Sequence, residues 1–136
     1  MSSEKPSVRR PLASYLDSSA LVKLVRSEPE TDALRDFLSD EPRLVSSILA
    51  QVEVSRAAAR VGVDAQPVLD GLARIDIDEA ILEAASRVEP LELSTLDAVH
   101  LASALAYPGI VDAFVVYDTR LAAAALAAGL HVASPG

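Results

Sequence analysis

The segment that most constrains this chain is residues 113–117, AFVVY, followed by Asp118 and the alanine-rich stretch TRLAAAALAAG. A run this apolar, β-branched and aromatic predicts a strand. Its apolar side chains point to both faces, so both faces must be covered. The stretch after it predicts a helix over 119–128, closed by Gly129. The rest of the chain repeats this alternation. Strands are predicted at 14–17 (SYLD), 43–46 (RLVS) and 75–77 (IDI), with a last edge strand at 131–133. Helices are predicted at 18–26, from Pro29 to Ser39, at 48–61 ending on Gly62, at 66–74, at 78–88 and at 96–106. Leu34, Phe37 and Leu38 form one apolar stripe in the second of these. Alternating strands and helices predict an α/β fold in three layers, with a central, mainly parallel sheet of four or five strands flanked by helices. In such sheets the site lies outside the carboxyl ends of the strands.

The 136 residues fit one domain, expected over 14–136, with a flexible N-terminal extension over 1–13. There is no cysteine, which excludes disulfides and thiol ligands, and no tryptophan. No apolar run is long enough to span a bilayer, and the polar start lacks a signal-peptide core, so a cytoplasmic location is expected. The net charge of −8 argues against a broad basic nucleic-acid surface. It leaves open an enzyme that meets nucleic acid through metal ions held by carboxylates.

Two strands end in aspartate, Asp17 and Asp118, and each aspartate then opens a helix. If both strands are central and parallel, the two carboxylates project at one edge of the sheet. Like charges held close repel, and a hard divalent cation with oxygen ligands relieves the repulsion. Helix capping explains either aspartate taken alone, because Asp is among the best N-caps. Glu53 lies within the predicted helix LAQVEVSRAAA, where pairing with Arg56 or Arg60 would also account for it. Asp97 stands three residues after Ser94, the spacing of a capping box, and His100 follows one turn later. A lone histidine and no cysteine make zinc a poor fit, and His100 reads as a packed or hydrogen-bonded side chain.

Four blocks join these signals: YLDSSALVKLV, SSILAQVEVSRAA, STLDAVHLASAL and FVVYDTRLAAAALAAGL. In their order and spacing the chain resembles the PIN-domain ribonucleases, and most of all the VapC toxins of bacterial toxin–antitoxin pairs. The resemblance covers residues 14–135. It implies a PIN-like fold in which Asp17, Glu53, Asp97 and Asp118 converge on Mg²⁺, with Mn²⁺ as a substitute. It places Ser19 where the family often has a hydroxyl near the metal. It also implies metal-assisted cleavage of RNA, a small cognate antitoxin and a homodimer, the antitoxin segment lying between the early helices. Two positions depart from the family pattern: Val116, where relatives often have Thr or Ser, and Ser94, where they often have Arg. Lys23, Arg26, Arg56, Arg60 and Arg120 are the candidate phosphate contacts.

Competing readings are weaker. A phosphoacceptor receiver domain needs an early acidic pair and a lysine at a late strand end, whereas the only lysines are Lys5 and Lys23. A haloacid-type phosphatase needs an aspartate where Ser19 stands. A non-catalytic binding module that keeps the carboxylates as helix caps is the remaining alternative.

Overall fold

The computed structural model describes residues 13–41 and 43–136. The expected extension therefore lies outside the described residues except for Ala13, which is the first residue of a strand. Among the described residues, twelve elements follow one another: β1 (Ala13–Leu16), α1 (Ser18–Val25), α2 (Thr31–Ser39), β2 (Arg43–Ser47), α3 (Ala50–Val61), α4 (Gln66–Asp70), β3 (Ala73–Ile75), α5 (Glu79–Ala85), α6 (Thr95–Leu105), β4 (Val111–Val115), α7 (Thr119–Ala127) and β5 (His131–Ala133). The five strands form one sheet in the order β3-β2-β1-β4-β5. Every neighbouring pair is parallel.

Period-two alternation along the strands separates two cores. Tyr15, Val45, Phe114 and Val116 face α6 and α7, where they pack with Leu101, Ala104, Leu121 and Ala125. Leu16 and Val115 face the other way, onto Ala20, Leu21, Leu34, Leu38, Val54 and Leu69 of α1 to α4. The sheet is thus covered on both faces at its centre, where Tyr15, Leu16, Phe114, Val115 and Val116 are all fully buried. No helix among the described residues is long and apolar enough to cross a membrane.

Several predicted boundaries moved. The helix predicted over 66–74 stops at Asp70, where Gly71 caps it with its N–H on the Val68 carbonyl at 3.1 Å. Residues 73–75 then join the sheet against Val45, Ser46 and Ser47, so the strand lies two residues before the predicted 75–77. Tertiary pairing overrode local propensity there. The strand predicted at 113–117 runs from Val111 to Val115. It leaves the β1 ladder after Leu16 pairs with Val115, because Asp17 has begun to cap α1. Val116 still donates to the Ala133 carbonyl, at 3.0 Å.

The chain builds outward from β1 through β2 to β3, then returns to place β4 on the other side of β1. The strand order reverses between β1 and β4, and in sheets of this kind ligands bind outside the carboxyl ends of the strands at such a switch point.

Candidate active site

Asp17 follows β1 directly and caps α1. Its Oδ1 accepts from the Ala20 N–H at 3.0 Å and from the Ser19 hydroxyl at 2.7 Å. Its own N–H donates to the Val115 carbonyl at 3.2 Å, which ties it to the end of β4. The Ser19 hydroxyl oxygen in turn accepts from the Tyr117 N–H at 2.9 Å. One serine therefore links the loop after β1 to the loop after β4. Asp118 caps α7, with Oδ1 accepting from the Leu121 N–H at 2.9 Å. The two strand-end aspartates thus flank the switch point.

Asp97 lies in the first turn of α6. Ser94 caps that helix, its hydroxyl accepting from the Asp97 N–H at 3.1 Å. The carboxylates sense one another: Asp17 feels the charge of Asp97, and Asp97 feels those of Asp118 and Glu53. Asp17 is only 1% exposed, and burial pushes its carboxyl up to about 6, against the hydrogen bonds from Ser19 and Ala20 that favour the ionised form. The Asp97 carboxyl is also raised, first by partial burial and then by the Asp118 charge.

Glu53, at the first turn of α3, turns away from Arg56 and Arg60. It accepts a short hydrogen bond from the Ser18 hydroxyl. Its Oε1 lies 3.0 Å from His100 Nε2. His100 is fully buried, and its Nδ1 lies 2.7 Å from the Tyr15 hydroxyl. The contact with Asp97 that the i+3 spacing allowed is replaced by this one. Ser18 and Tyr15 were not singled out in the sequence. The available signal was strand alternation, which turns Tyr15 toward α6, together with one histidine on an otherwise apolar helical stretch.

The donor set is all hard oxygen, with four negative groups and a buried aspartate whose charge is poorly compensated by its surroundings. That chemistry fits Mg²⁺ or Mn²⁺ and fits no soft metal. Among the described residues, no three His, Asp or Glu side chains are already closed around one point as ligands. Asp97 lies within reach of the charges of the other three acids, and no closed cage is present among the described residues.

The candidate cations divide into two groups. Lys23 binds Glu28 and Glu30, each at 2.8 Å, and sits 4.6 Å over the Tyr117 ring. Arg26 is held by Glu28 at 2.7 Å. Both are therefore poor candidates for phosphate. Arg56, Arg60 and Arg120 are exposed, with no ion pair recorded among the described residues. Away from the carboxylates, a 360 Å³ groove between α1, α2 and α4 is lined by Leu24, Leu38, Leu44, Val68 and Leu72.

Comparison with known proteins gives a consistent picture. The sequence pattern of the PIN domain matches residues 14–127. Ribonuclease VapC35 of Mycobacterium tuberculosis (strain ATCC 25618 / H37Rv) is 44% identical over 130 residues, covering 90% of this chain and 96% of that one. Ribonuclease VapC46 of the same strain is 42% identical over 127 residues, covering 90% and 98%. Among solved structures, a toxin–antitoxin complex from Klebsiella pneumoniae matches with a TM-score of 0.70 at 19% identity, over 90% of this chain and 98% of that chain. Mycobacterium tuberculosis VapC20, described as a sarcin–ricin loop cleaving toxin, matches with a TM-score of 0.64 at 18% identity, over 89% and 98%. These two structural likenesses bear on the fold.

Proposed function

This chain belongs to the PIN-domain family, and from that premise we propose that it is a Mg²⁺-dependent endoribonuclease, the toxin half of a type II toxin–antitoxin pair, acting through Asp17, Glu53, Asp97 and Asp118. The observation that carries this reading is the β1/β4 switch point, where Asp17, buried, and Asp118 each cap a helix and Asp97 lies within reach of the charges of Asp17, Asp118 and Glu53.

Asp17 and Asp118 are the rigid members. Each commits Oδ1 to its own helix N-terminus, so its position is set by backbone hydrogen bonds. In each case Oδ2 carries none of those bonds and is the oxygen we assign to a divalent cation. Glu53 and Asp97 approach from helices and complete the oxygen set. When bound, Mg²⁺ or Mn²⁺ supplies charge neutralisation at the phosphodiester and a lowered pKa for a coordinated water. Either Glu53 or Asp97 can accept the proton of the attacking water, since both are partly open to solvent. Ser19 orients Asp17 and ties it to the loop before Asp118. Arg56, Arg60 and Arg120 are the cations available to RNA phosphates.

We assign the groove between α1, α2 and α4 to an apolar segment of the antitoxin. A basic residue of that partner entering the acidic cluster would relieve the same repulsion as the metal. A homodimer and a cytoplasmic location complete the proposal. Co-purification with the antitoxin and light scattering are their respective tests.

The activity is tested by incubating the protein with total RNA and Mg²⁺ and mapping new ends. Cleavage should stop with chelator. It should fall about 100-fold or more in Asp118→Asn, because losing an anionic ligand costs several kcal/mol of charge stabilisation. Cleavage that persists undiminished in chelator, or in this variant, would overturn the proposal.

A further inference from the structure

A chain of polar groups runs from the sheet to Glu53, and none of its other members is assigned to the metal. Tyr15 and His100 are both fully buried, on β1 and α6. Their rings meet edge-on with centroids 5.7 Å apart, and the Tyr15 hydroxyl is 2.7 Å from His100 Nδ1. The far nitrogen, Nε2, lies 3.0 Å from Glu53 Oε1, 3.3 Å from Oε2 and 3.1 Å from the Ser18 hydroxyl. Ser18 closes the group by donating to Glu53 Oε2.

The donor directions follow from an inventory of hydrogens. A carboxylate only accepts, so the Nε2 contact needs its hydrogen on the histidine. In a neutral imidazole that leaves Nδ1 as an acceptor, and a buried tyrosine hydroxyl needs an acceptor. Tyr15 is thus the donor to Nδ1. Ser46, also beside the Tyr15 hydroxyl, spends its hydrogen on the Leu16 carbonyl at 2.7 Å. The buried Ser103 hydroxyl lies on the same side without a hydrogen bond of good geometry. It is a spare donor behind Tyr15, not a competitor for Glu53.

We propose, on the reading of the acidic site given above, that His100 is a positioning residue: with Tyr15 donating to Nδ1, its Nε2–H holds the Glu53 carboxylate at the mouth of the cluster formed with Asp17, Asp97 and Asp118. Glu53 sits on a helix of the opposite core from His100, and among the described residues only Ser18 and His100 hydrogen-bond its carboxylate. A glutamate left to its own torsions would spread over several directions before a cation could collect it. Partners that orient a ligating side chain are typically worth about 10- to 100-fold in metal affinity.

Two measurements test this. The first is the ¹⁵N spectrum of the His100 ring in the metal-free protein at neutral pH. The expected signature is the Nε2–H tautomer, weakened in Tyr15→Phe. An Nδ1–H tautomer would overturn the proposal whatever the variants do. The second is calorimetric titration with Mn²⁺ alone, with no RNA present. His100→Leu should raise the Kd about 10- to 100-fold. His100→Gln, which keeps an N–H donor near the place of Nε2, should recover most of that loss. A role confined to packing would make leucine the better replacement and glutamine the worse. If His100→Leu fails to fold, as judged by its thermal melt, Tyr15→Phe and His100→Gln carry the comparison. Asp17→Asn separates the two levels of the argument. Mn²⁺ binding lost in Asp17→Asn but undiminished in His100→Leu would overturn the role of His100 and leave the acidic site standing. Wild type binding no more Mn²⁺ than Asp17→Asn would overturn the site itself.

Discussion

Asp17 is a cap and, in our reading, a ligand, and the two roles make opposite demands on it. As a cap it satisfies the Ala20 N–H and fixes the start of α1. As a buried anion it sits at 1% exposure beside another carboxylate. Its carboxyl is raised from 3.8 to about 6, so the folded state holds this proton more tightly than the unfolded chain does. Its contribution to stability is therefore fully present below about pH 4 and is lost as the pH rises through 6. Asparagine keeps the capping oxygen and removes the charge. In chelator at pH 7, Asp17→Asn should be more stable than wild type by on the order of 2 kcal/mol. The gap should close below about pH 4. Urea denaturation across this pH range measures it, and a variant less stable than wild type at pH 7 would contradict the account.

Capping motifs recur along the chain, so capping by itself does not set Asp17 and Asp118 apart. Asp17, Asp78, Ser94 and Asp118 each accept a hydrogen bond from a backbone N–H three residues on. Asp78 follows a strand and opens a helix just as Asp17 and Asp118 do, yet it stands beyond β3, at the edge of the sheet. Only the aspartates after β1 and β4 flank the switch point. Ser94 shows the other side of the same chemistry. It caps α6 and anchors the turn that carries Asp97. Ser94→Ala should cost about 1 kcal/mol of stability, read as a lowered Tm. An unchanged Tm would mean that the cap contributes nothing.

At the scale of the whole molecule, repulsion among the acids of the proposed site would be a reservoir that a cation can draw on. A ligand that binds only the folded state stabilises it by about 2.7 kcal/mol at 100 times its Kd. For a domain of this size that amounts to a rise in Tm of roughly 8 °C with saturating Mn²⁺. The rise should disappear in Asp118→Asn and on adding chelator. An equal rise in wild type and variant would place the ion elsewhere on a surface whose net charge is −8.

The apolar periodicity and the strand–helix alternation were enough to specify a parallel sheet with helices on both faces, because an apolar stretch such as 113–116 must be covered on both faces to exclude water. The two strand-end aspartates were legible for the same reason: a residue that ends a strand and opens a helix lies at the carboxyl edge of the sheet. Tertiary structure decided the rest. It cut α4 at Gly71 so that residues 73–75 could pair with β2, since strand pairing is non-local and leaves little trace in a short segment. It put β1 and β4 side by side, so that Asp17 and Asp118 flank the switch point while Asp78 lies beyond β3 at the edge of the sheet. It also turned Glu53 from its arginine neighbours to His100, a partner 47 residues away. That pairing follows from two helices packed on opposite faces of the sheet meeting at its carboxyl edge, and no spacing along the chain encodes it.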